Sequence, residues 1–218
     1  PYLSDGFMHY VRHAVEEAAR RGMRVVLYDE AMYPSGAAHG LVAAENPAWA
    51  SRCLWMEQHD ADVPASEDIV AACAARVKDG AVSDVTALSP AAGVYPVPAD
   101  GRTLLIFREG FSGGTIRGIH ENEDDGEINA PKSADLLNAD AVQAFIRITH
   151  ERYYEVLGEH FGKTVIAMFT DEPDIMGRNH RPGGVAWTDD FLQDFLSQGC
   201  SVTDLPALWL NAGNATDG

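Results

Sequence analysis

Two pairs of adjacent acidic residues carry the chemistry that this sequence could perform. Asp29 and Glu30 end one apolar run, and Asp171 and Glu172 end another. Clustered carboxylates push one another's pKa values apart, so one can hold a proton near neutral pH while its neighbour stays ionised. Cleavage of a glycosidic bond needs such a pair, with one group as acid and the other as base or nucleophile.

Two other uses of these acids stay open at this point. The cluster could bind a divalent cation through its oxygen atoms. The acids could instead be structural, capping helix N-termini or pairing with Arg178 and Arg181. The loop behind each acidic pair is rich in glycine, proline and aromatic residues, which favours a site.

Each acidic pair stands where a strand is predicted to end. Residues 23–28 and 165–170 are apolar runs of the length of one buried strand, and Pro173 lacks the N–H that would extend the second. Each run follows a helix-like segment, residues 4–21 and 138–161, that closes on a glycine. This repeated order predicts two parallel strands of one sheet, with both acidic pairs at its C-terminal edge.

The middle of the chain has a different pattern. Helical periodicity is lost and prolines recur. Residues 69–77 and 82–88 flank Asp79 and Gly80, and an Asp-Gly step between two β-prone runs favours a hairpin. Residues 103–107 are predicted to form another buried strand.

A histidine and a further helix complete the pattern in the C-terminal half. His150 and Glu151 begin like a metalloprotease motif, but Tyr154 stands where the second histidine would be needed. That class is therefore excluded, and His150 is expected to be packed or on the surface. Residues 187–195 are predicted to form an amphipathic helix with Thr188 as its cap.

The composition excludes some partners. The chain has 218 residues and a net charge of −17, with a pI near 4.6. Binding to phosphate needs a basic face, so neither nucleic acid nor an anionic membrane is expected as a partner. No apolar run approaches the ~20 residues of a membrane span, and the start of the chain lacks the order of a signal peptide. The compartment, cytoplasmic or secreted, and the oligomeric state stay open.

Cysteine usage and one acidic run add little chemistry. Cys53, Cys73 and Cys200 are odd in number and far apart, so reduced thiols are expected rather than a disulfide framework or a zinc site. Residues 121–127 are strongly acidic but do not have EF-hand spacing, which favours a solvated loop over a calcium loop.

Several short motifs, taken together, resemble bacterial glycosyl hydrolases related to the α-L-rhamnosidases of glycoside hydrolase family 106. The similarity covers most of the chain and is weakest between residues 57 and 130. The motifs that carry it, in chain order, are residues 28–36, 149–154, 161–163, 169–173, 187–195 and 205–208.

The resemblance implies a (β/α)8 barrel, an inverting mechanism with two carboxylates, and calcium in some members. Eight βα units need about 250 residues. The expected fold class is therefore α/β, a partial (β/α)8 TIM barrel with a small β-rich insertion, in a chain that is a fragment. The expected domains are the first βα units in residues 1–56, the insertion in 57–102, and further βα units in 103–218.

On the matching motifs, the resemblance implies Glu172 as the first catalytic carboxylate and Glu30 as its partner. The residues that it implies for binding a carbohydrate substrate are Asp29, Asp171, Tyr33, Ser35 and Trp187. Of these, Tyr33 and Trp187 could stack on a sugar ring or could simply pack. Calcium is the one cofactor implied, without an assigned ligand. The alternative function is a non-catalytic α/β module that binds carbohydrate or a cation and whose acids are structural.

Overall fold

The computed structural model describes residues 1–118 and 120–212. Five α-helices and ten strands are found there. In chain order they are α1 (Asp5–Arg20), β1 (Val25–Tyr28), α2 (Leu41–Glu45), β2 (Arg52–His59), β3 (Val63–Pro64), β4 (Ile69–Lys78), β5 (Ala81–Ala87), β6 (Val94–Tyr95), β7 (Thr103–Phe111), α3 (Ala139–Phe145), α4 (Arg152–Leu157), β8 (Val165–Phe169), β9 (Val185–Trp187), α5 (Phe191–Ser197) and β10 (Asn211–Ala212).

The chain divides into two compact units, each built from two stretches of sequence. Unit 1 comprises Pro1–Ser51 and Ser112–His180, and unit 2 comprises Arg52–Phe111 and Arg181–Gly218. The acidic pairs belong to unit 1. The boundary predicted after residue 56 falls inside β2, and the one predicted after residue 102 falls just before β7.

Unit 1 contains the predicted pair of parallel strands. β1 and β8 form a two-stranded parallel sheet in which Tyr28 lies opposite Phe169, which confirms the predicted orientation. Ser4 caps α1 by accepting from the backbone N–H of Phe7 at 3.2 Å. Gly22 follows the helix with a positive φ of 69°, the left-handed conformation that glycine adopts readily at the end of a helix.

One side of this small sheet is packed and the other is exposed. Leu27 and Val165 lie in a core with Met8 and Val15 of α1 and Leu157 of α4. On the other side, solvent reaches the side chains of Val26, Tyr28, Ile166 and Phe169, which are 40–55% exposed. The prediction that both strands are buried is therefore wrong, because helices cover only one face of the pair.

The long helix predicted over residues 138–161 is not regular. Asn138 caps α3 by accepting from the backbone N–H groups of Asp140 and Ala141. A π-helical segment, Ile146–Glu151, then separates α3 from α4. π-Helical segments are rare and often occur at functional sites, because the wider turn re-aims side chains.

Unit 2 is built on a mixed six-stranded sheet in the order β10-β5-β4-β7-β2-β9. Its central pairs are antiparallel, and the predicted hairpin at Asp79 and Gly80 joins β4 to β5. Both turn residues have positive φ, as a two-residue hairpin loop requires. The strand β7 is buried on both faces, with Phe107 in one apolar cluster and Ile106 in the other.

The structure corrects the predicted fold class. A (β/α)8 barrel needs about eight helices around parallel strands. The described residues form five α-helices, and β1–β8 is the one parallel pair of the predicted strand–helix type. Most strands belong instead to the largely antiparallel sheet of unit 2. The insertion predicted to be small is part of that sheet, which also recruits β7, β9 and β10 from beyond it.

The predicted helix over residues 187–195 begins later than expected. Trp187 ends strand β9, and α5 starts at Phe191 after Asp190, whose backbone is left-handed with φ 63°. Within residues 1–118 and 120–212, no helix is long and apolar enough to cross a membrane. Cys53, Cys73 and Cys200 are free thiols, the first two buried.

Candidate active site

The ends of β1 and β8 bring the acidic residues of unit 1 together. Asp29 and Glu30 follow β1, and Asp171 and Glu172 follow β8. The backbone N–H of Asp29 donates to the carbonyl of Phe169 at 3.2 Å, which extends the pairing to the acidic residues themselves. The C-terminal edge of this sheet thus carries all four acidic residues, because parallel strands end on the same side.

The loop after Glu30 folds back over this edge. Ser35, only 3% exposed, donates its backbone N–H to the carbonyl of Asp171 at 3.1 Å and accepts the backbone N–H of Asp171 on its hydroxyl at 2.9 Å. Gly36 has φ 117°, and a Cβ there would lie 2.8 Å from the side chain of Leu136. Glycine is favoured at this position mainly because L side chains rarely adopt φ 117°.

Asp29 is fully buried and surrounded by donors. Its Oδ1 accepts the hydroxyl of Ser35 at 2.7 Å. Its Oδ2 accepts the hydroxyl of Thr170 at 2.6 Å and pairs with Nε2 of His150 at 3.0 Å. Burial acts to raise the pKa of Asp29, but the hydrogen bonds from His150, Thr170 and Ser35 outweigh it and hold that pKa below its ordinary value. Asp29 is therefore an ionised, structural carboxylate.

His150 and Thr170 are members of this site that the sequence did not reveal. His150 lies in the π-helical segment, with its ring 5.2 Å from that of Phe145 in an edge contact, and reaches Asp29 from the helix side. The departure from regular helix that aims His150 at Asp29 has no signature in the apolar periodicity. Thr170 could have been found from its place immediately before Asp171.

Glu30 and Asp171 share a single phenol. The hydroxyl of Tyr28 lies 2.7 Å from Oε1 of Glu30 and 2.6 Å from Oδ2 of Asp171. The other oxygen of Glu30 lies 3.2 Å from the hydroxyl of Ser35. Tyr28 thus links the two strand ends through their side chains.

The pKa values of Glu30 and Asp29 are displaced in opposite directions. Burial raises the pKa of Glu30 above its ordinary value, and the charges of Asp171 and Asp29 act in the same direction against the Tyr28 and Ser35 hydroxyls. Burial also raises the pKa of Tyr28, together with its contacts to Asp171 and Glu30, so the phenol keeps its hydrogen. Neighbouring carboxyl groups with separated pKa values are the arrangement that acid–base chemistry uses.

Glu172 lies at the exposed rim of the same edge. Its carboxylate accepts the hydroxyl of Tyr33, and its backbone is in the left-handed region with φ 40°. A left-handed backbone at a residue other than glycine costs of order 1 kcal/mol and is often found at functional sites. The Tyr33 ring is flanked by the guanidinium groups of Arg178 at 5.3 Å and Arg117 at 5.8 Å.

The aromatic residues near the acids differ in exposure. Tyr28 and Phe169 form a tilted ring pair with centroids 5.4 Å apart, and their side chains are 40% and 51% exposed. Trp187, by contrast, belongs to unit 2, is 2% exposed, and donates its indole N–H to Glu109 at 2.8 Å. The ring of Trp187 is packed and offers no open face to a sugar, whereas Tyr28 and Phe169 do.

The acids were also considered as structural partners of Arg178 and Arg181, and the contacts of these two arginines can now be examined. Arg178 pairs with Asp125, and Arg181 stacks on Trp55 of unit 2 with its guanidinium 3.9 Å from the ring centre. The carboxyl groups of the strand-end acids contact instead the hydroxyls of Tyr28, Tyr33, Ser35 and Thr170 and the ring of one histidine. Of the four acids, Asp29 fits the structural alternative best.

The calcium that the resemblance implies stays a prediction. In the part of the chain that the structure describes, no group of three or more His, Cys, Asp or Glu side chains is arranged to hold a metal ion. Both oxygens of Asp29 already accept hydrogen bonds from protein donors.

Comparison with known proteins gives no relative for this chain: no protein-family model matches it, and no match was found among curated proteins or among solved structures.

Proposed function

We propose that this protein is a glycoside hydrolase in which Glu30 and Asp171 are the two working carboxyl groups. The observation that carries the proposal is their convergence on one phenol from two neighbouring strand ends, at 2.7 and 2.6 Å. Two carboxyl groups on one exposed edge, with the pKa of Glu30 raised above its ordinary value, meet the chemical requirement for cleaving a glycosidic bond.

The spacing of the pair favours one stereochemical course. Because the two carboxyl oxygens contact the same hydroxyl at 2.7 and 2.6 Å, they lie no more than about 5.3 Å apart, which is short of the ~6.5–9.5 Å that inverting enzymes use to admit water. This pair therefore supports retention. The inversion implied by the resemblance would require a more distant partner for Glu30, for which Glu172 is the candidate.

Hydrolysis of the glycosidic bond would proceed in two steps, formation of a covalent glycosyl–enzyme and its hydrolysis by water. Glu30 gives its proton to the glycosidic oxygen while the Asp171 carboxylate attacks the anomeric carbon, so that the C–O bond breaks with its electron pair on the departing alcohol. Glu30, now ionised, then takes a proton from a water molecule whose oxygen displaces Asp171 from the sugar. The raised pKa of Glu30 suits the first step, and its return to the acid form closes the cycle.

Recognition of the sugar would use the exposed groups around this pair. The Tyr28 and Phe169 rings offer apolar faces beside the acids. Tyr33 and Glu172 offer a hydroxyl and a carboxylate at the rim for substrate hydroxyls. The sequence resemblance makes α-L-rhamnosides the first substrates to test.

The second candidate is a carbohydrate-binding module without catalysis. The occupied, buried carboxylate of Asp29 favours it, because at least one of the four acids is structural. Such a module would bind sugars through the same aromatic rings but would release no product.

The test is turnover of a panel of aryl glycosides, with α-L-rhamnoside first, by the wild-type protein and by Glu30→Gln and Asp171→Asn. We expect measurable release of the phenol, reduced in kcat by about 10²–10⁴-fold in either variant. Glu67→Gln, an exposed substitution in unit 2, is the matched control and should leave the rate unchanged. Sugar binding without release of phenol would favour the module and overturn the proposed enzyme.

A further inference from the structure

Unit 1 has a groove of about 320 Å³ that shares no lining residue with the candidate active site. Its lining comes from α2, from the short turn Pro47–Trp49, from α3 and from the π-helical segment that follows α3. Small-molecule sites have volumes of ~300–1,000 Å³, so the groove has room for a ligand of the size of one sugar ring.

One wall of the groove comes from a stripe of polar residues in the sequence. Asp140, Gln143, Arg147 and Glu151 follow one another at intervals of three or four residues, the spacing of one helix face. Ala144 also lines the groove and is 3% exposed, because it belongs to the apolar core of this unit. The groove thus combines a small apolar residue from the core with polar side chains around it.

Trp49 lines the groove and differs from the other tryptophans in its indole N–H. Trp55, Trp187 and Trp209 donate this group to protein acceptors at 3.0, 2.8 and 2.6 Å. The part of the chain that the structure describes gives Trp49 no acceptor, and its indole nitrogen is not among the buried atoms that lack one. The indole N–H of Trp49 is therefore open to solvent or to a ligand.

The groove is held in shape by the protein itself. The ring of Trp49 packs partly against the apolar core, and its carbonyl accepts the backbone N–H of Asp135 at 2.8 Å. Nη2 of Arg147 lies 2.6 and 2.7 Å from the two carboxylate oxygens of Glu45, which joins the π-helical segment to α2. A ligand would meet a largely preformed groove, which lowers the ordering cost of binding.

The unused polar groups of the groove include both donors and acceptors. Among the described residues, the side chains of Asp140, Gln143 and Glu151 have no hydrogen-bond or ion-pair partner. The two carboxylates only accept, the indole of Trp49 only donates, and the amide of Gln143 does both. A ligand that satisfies all of them must itself donate and accept.

This requirement selects one class of ligand. An ammonium ion only donates, so it would leave the N–H groups of Trp49 and Gln143 without an acceptor. An anion only accepts and would be repelled by the carboxylates of Asp140 and Glu151. Sugar hydroxyls donate and accept, and an indole ring suits the apolar face of a sugar.

We propose that this groove binds a neutral sugar and is a second carbohydrate site, apart from the candidate active site. Trp49 supplies the ring and one donor, Gln143 supplies an amide, and Asp140 and Glu151 supply acceptors. The proposal does not depend on the hydrolase function, because neither of the proposed working carboxyl groups lines the groove.

The experiment follows the indole N–H signals of the intact protein by ¹H–¹⁵N NMR, with Trp49→Phe used to assign the Trp49 signal by its loss. L-Rhamnose, D-galactose and D-glucose are the probes, and tetramethylammonium chloride and sodium sulfate are the cationic and anionic comparators. We expect a neutral sugar to shift the Trp49 signal saturably with a Kd of about 1–10 mM, as suits a ligand of this size. No saturable shift with any of the sugars up to roughly 100 mM, or a shift with a comparator alone, would overturn the proposal.

Gln143→Ala tests the position of the sugar in the groove. Gln143 is exposed, so the substitution should remove its hydrogen bonds to the sugar without disturbing the core, and Kd should rise about 2–10-fold. Gln193→Ala, at an exposed glutamine of α5 in unit 2, is the matched control and should leave Kd unchanged. An unchanged Kd in Gln143→Ala, or an equal change in both variants, would overturn the assignment of the groove.

Titration of Glu30→Gln separates the groove from the candidate active site. The Trp49 signal should respond to the sugar in this variant as it does in wild type, because Glu30 does not line the groove. A response that disappears with Glu30 would overturn the second site and place the sugar at the first. Absence of glycosidase activity, by contrast, would overturn the hydrolase alone.

Discussion

Asp29 and Glu30 are neighbours in sequence but meet opposite surroundings. Asp29 is fully buried and contacts three donors, whereas Glu30 lies between the hydroxyls of Tyr28 and Ser35 with two acidic neighbours. One residue is thus held ionised, and the other is driven towards its neutral form. Their different roles follow from these surroundings and have opposite consequences for stability.

Asp29→Asn should destabilise the protein at neutral pH. The amide lacks the charge that three donors stabilise, so the free energy of unfolding should fall by about 1.5–3 kcal/mol. Because the fold lowers the pKa of Asp29, its contribution is present above the unfolded pKa and is lost as pH falls through the folded value. Urea denaturation should therefore show a large difference from wild type at pH ~7 that narrows below pH ~4. Equal stability at neutral pH would contradict the structural role of Asp29.

Glu30→Gln should show the opposite trend. The fold raises the pKa of Glu30, so the stability it contributes is present below the unfolded pKa and is lost as pH rises through the folded pKa. A neutral glutamine escapes that loss. In thermal unfolding, the variant should gain on wild type as pH rises from ~4 to ~9. A variant that becomes relatively less stable over this range would show that Glu30 is stabilised as a carboxylate.

The sequence could identify the acids but not their partners. Asp29, Glu30, Asp171 and Glu172 were found because adjacent carboxylates after apolar runs are a local signal. The contact of His150 with Asp29 joins residues 121 positions apart through a π-helical segment, and helical periodicity does not encode it. The packed ring of Trp187 could not be predicted either, because the sequence does not show whether an aromatic ring is packed or exposed.

At the scale of elements, the site depends on the loop that carries Ser35. Gly36→Ala should disturb it, because the new Cβ would lie 2.8 Å from Leu136 and the residue would have to keep φ 117°. Strain of this kind costs about 1–3 kcal/mol of unfolding free energy. Chemical denaturation gives the loss directly, and Gly80→Ala, at a glycine with φ 78° and open space around it, measures the cost of a positive φ without a steric contact. An equal loss in both variants would contradict the proposed packing of the loop.

The π-helical segment gives a second test at this scale. His150→Phe keeps a ring beside Phe145 but removes the donor to Asp29. The unfolding free energy should fall by about 1.5–3 kcal/mol, and the pKa of Asp29 should rise towards its ordinary value. An NMR titration that follows the side-chain carboxyl carbon of Asp29 would measure this change in its pKa. An unchanged Asp29 midpoint would show that His150 does not stabilise its ionised form.

Local order could be predicted better than long-range pairing. The helix–Gly–strand units and the Asp-Gly hairpin depend on neighbours in sequence, and the structure confirms the parallel β1–β8 pair and the β4–β5 hairpin. The pairing of β2 with β9, and of β5 with β10, joins segments more than a hundred residues apart. No local pattern specifies such pairs, which is why the sheet of unit 2 was mistaken for a small insertion.

For the whole molecule, the barrel prediction assumed that the two helix–strand units that end in β1 and β8 would be repeated around a full barrel. The described part of the chain does not form that repeat. Six of the other strands form the mixed sheet of unit 2, which has an apolar cluster on each of its two faces. The β1–β8 sheet itself leaves apolar side chains in solvent, including Val26 at 55% and Ile166 at 53%. Exposed apolar surface of this kind promotes association.

Val26→Thr combined with Ile166→Thr should therefore reduce self-association. Threonine keeps the β-branched shape that suits a strand, so stability should change little. Sedimentation of the wild-type protein should show association that increases with concentration, and the double variant should show less. A wild-type protein that remains monomeric at high concentration would show that the exposed face of the β1–β8 sheet does not mediate self-association.

The stereochemistry of the product tests most directly the claim that Glu30 and Asp171 are the working pair. Proton NMR can follow the first anomer released from an aryl glycoside before the product equilibrates. Carboxyl oxygens no more than about 5.3 Å apart predict retention of the anomeric configuration. Release of the inverted anomer would contradict the pairing of Glu30 with Asp171.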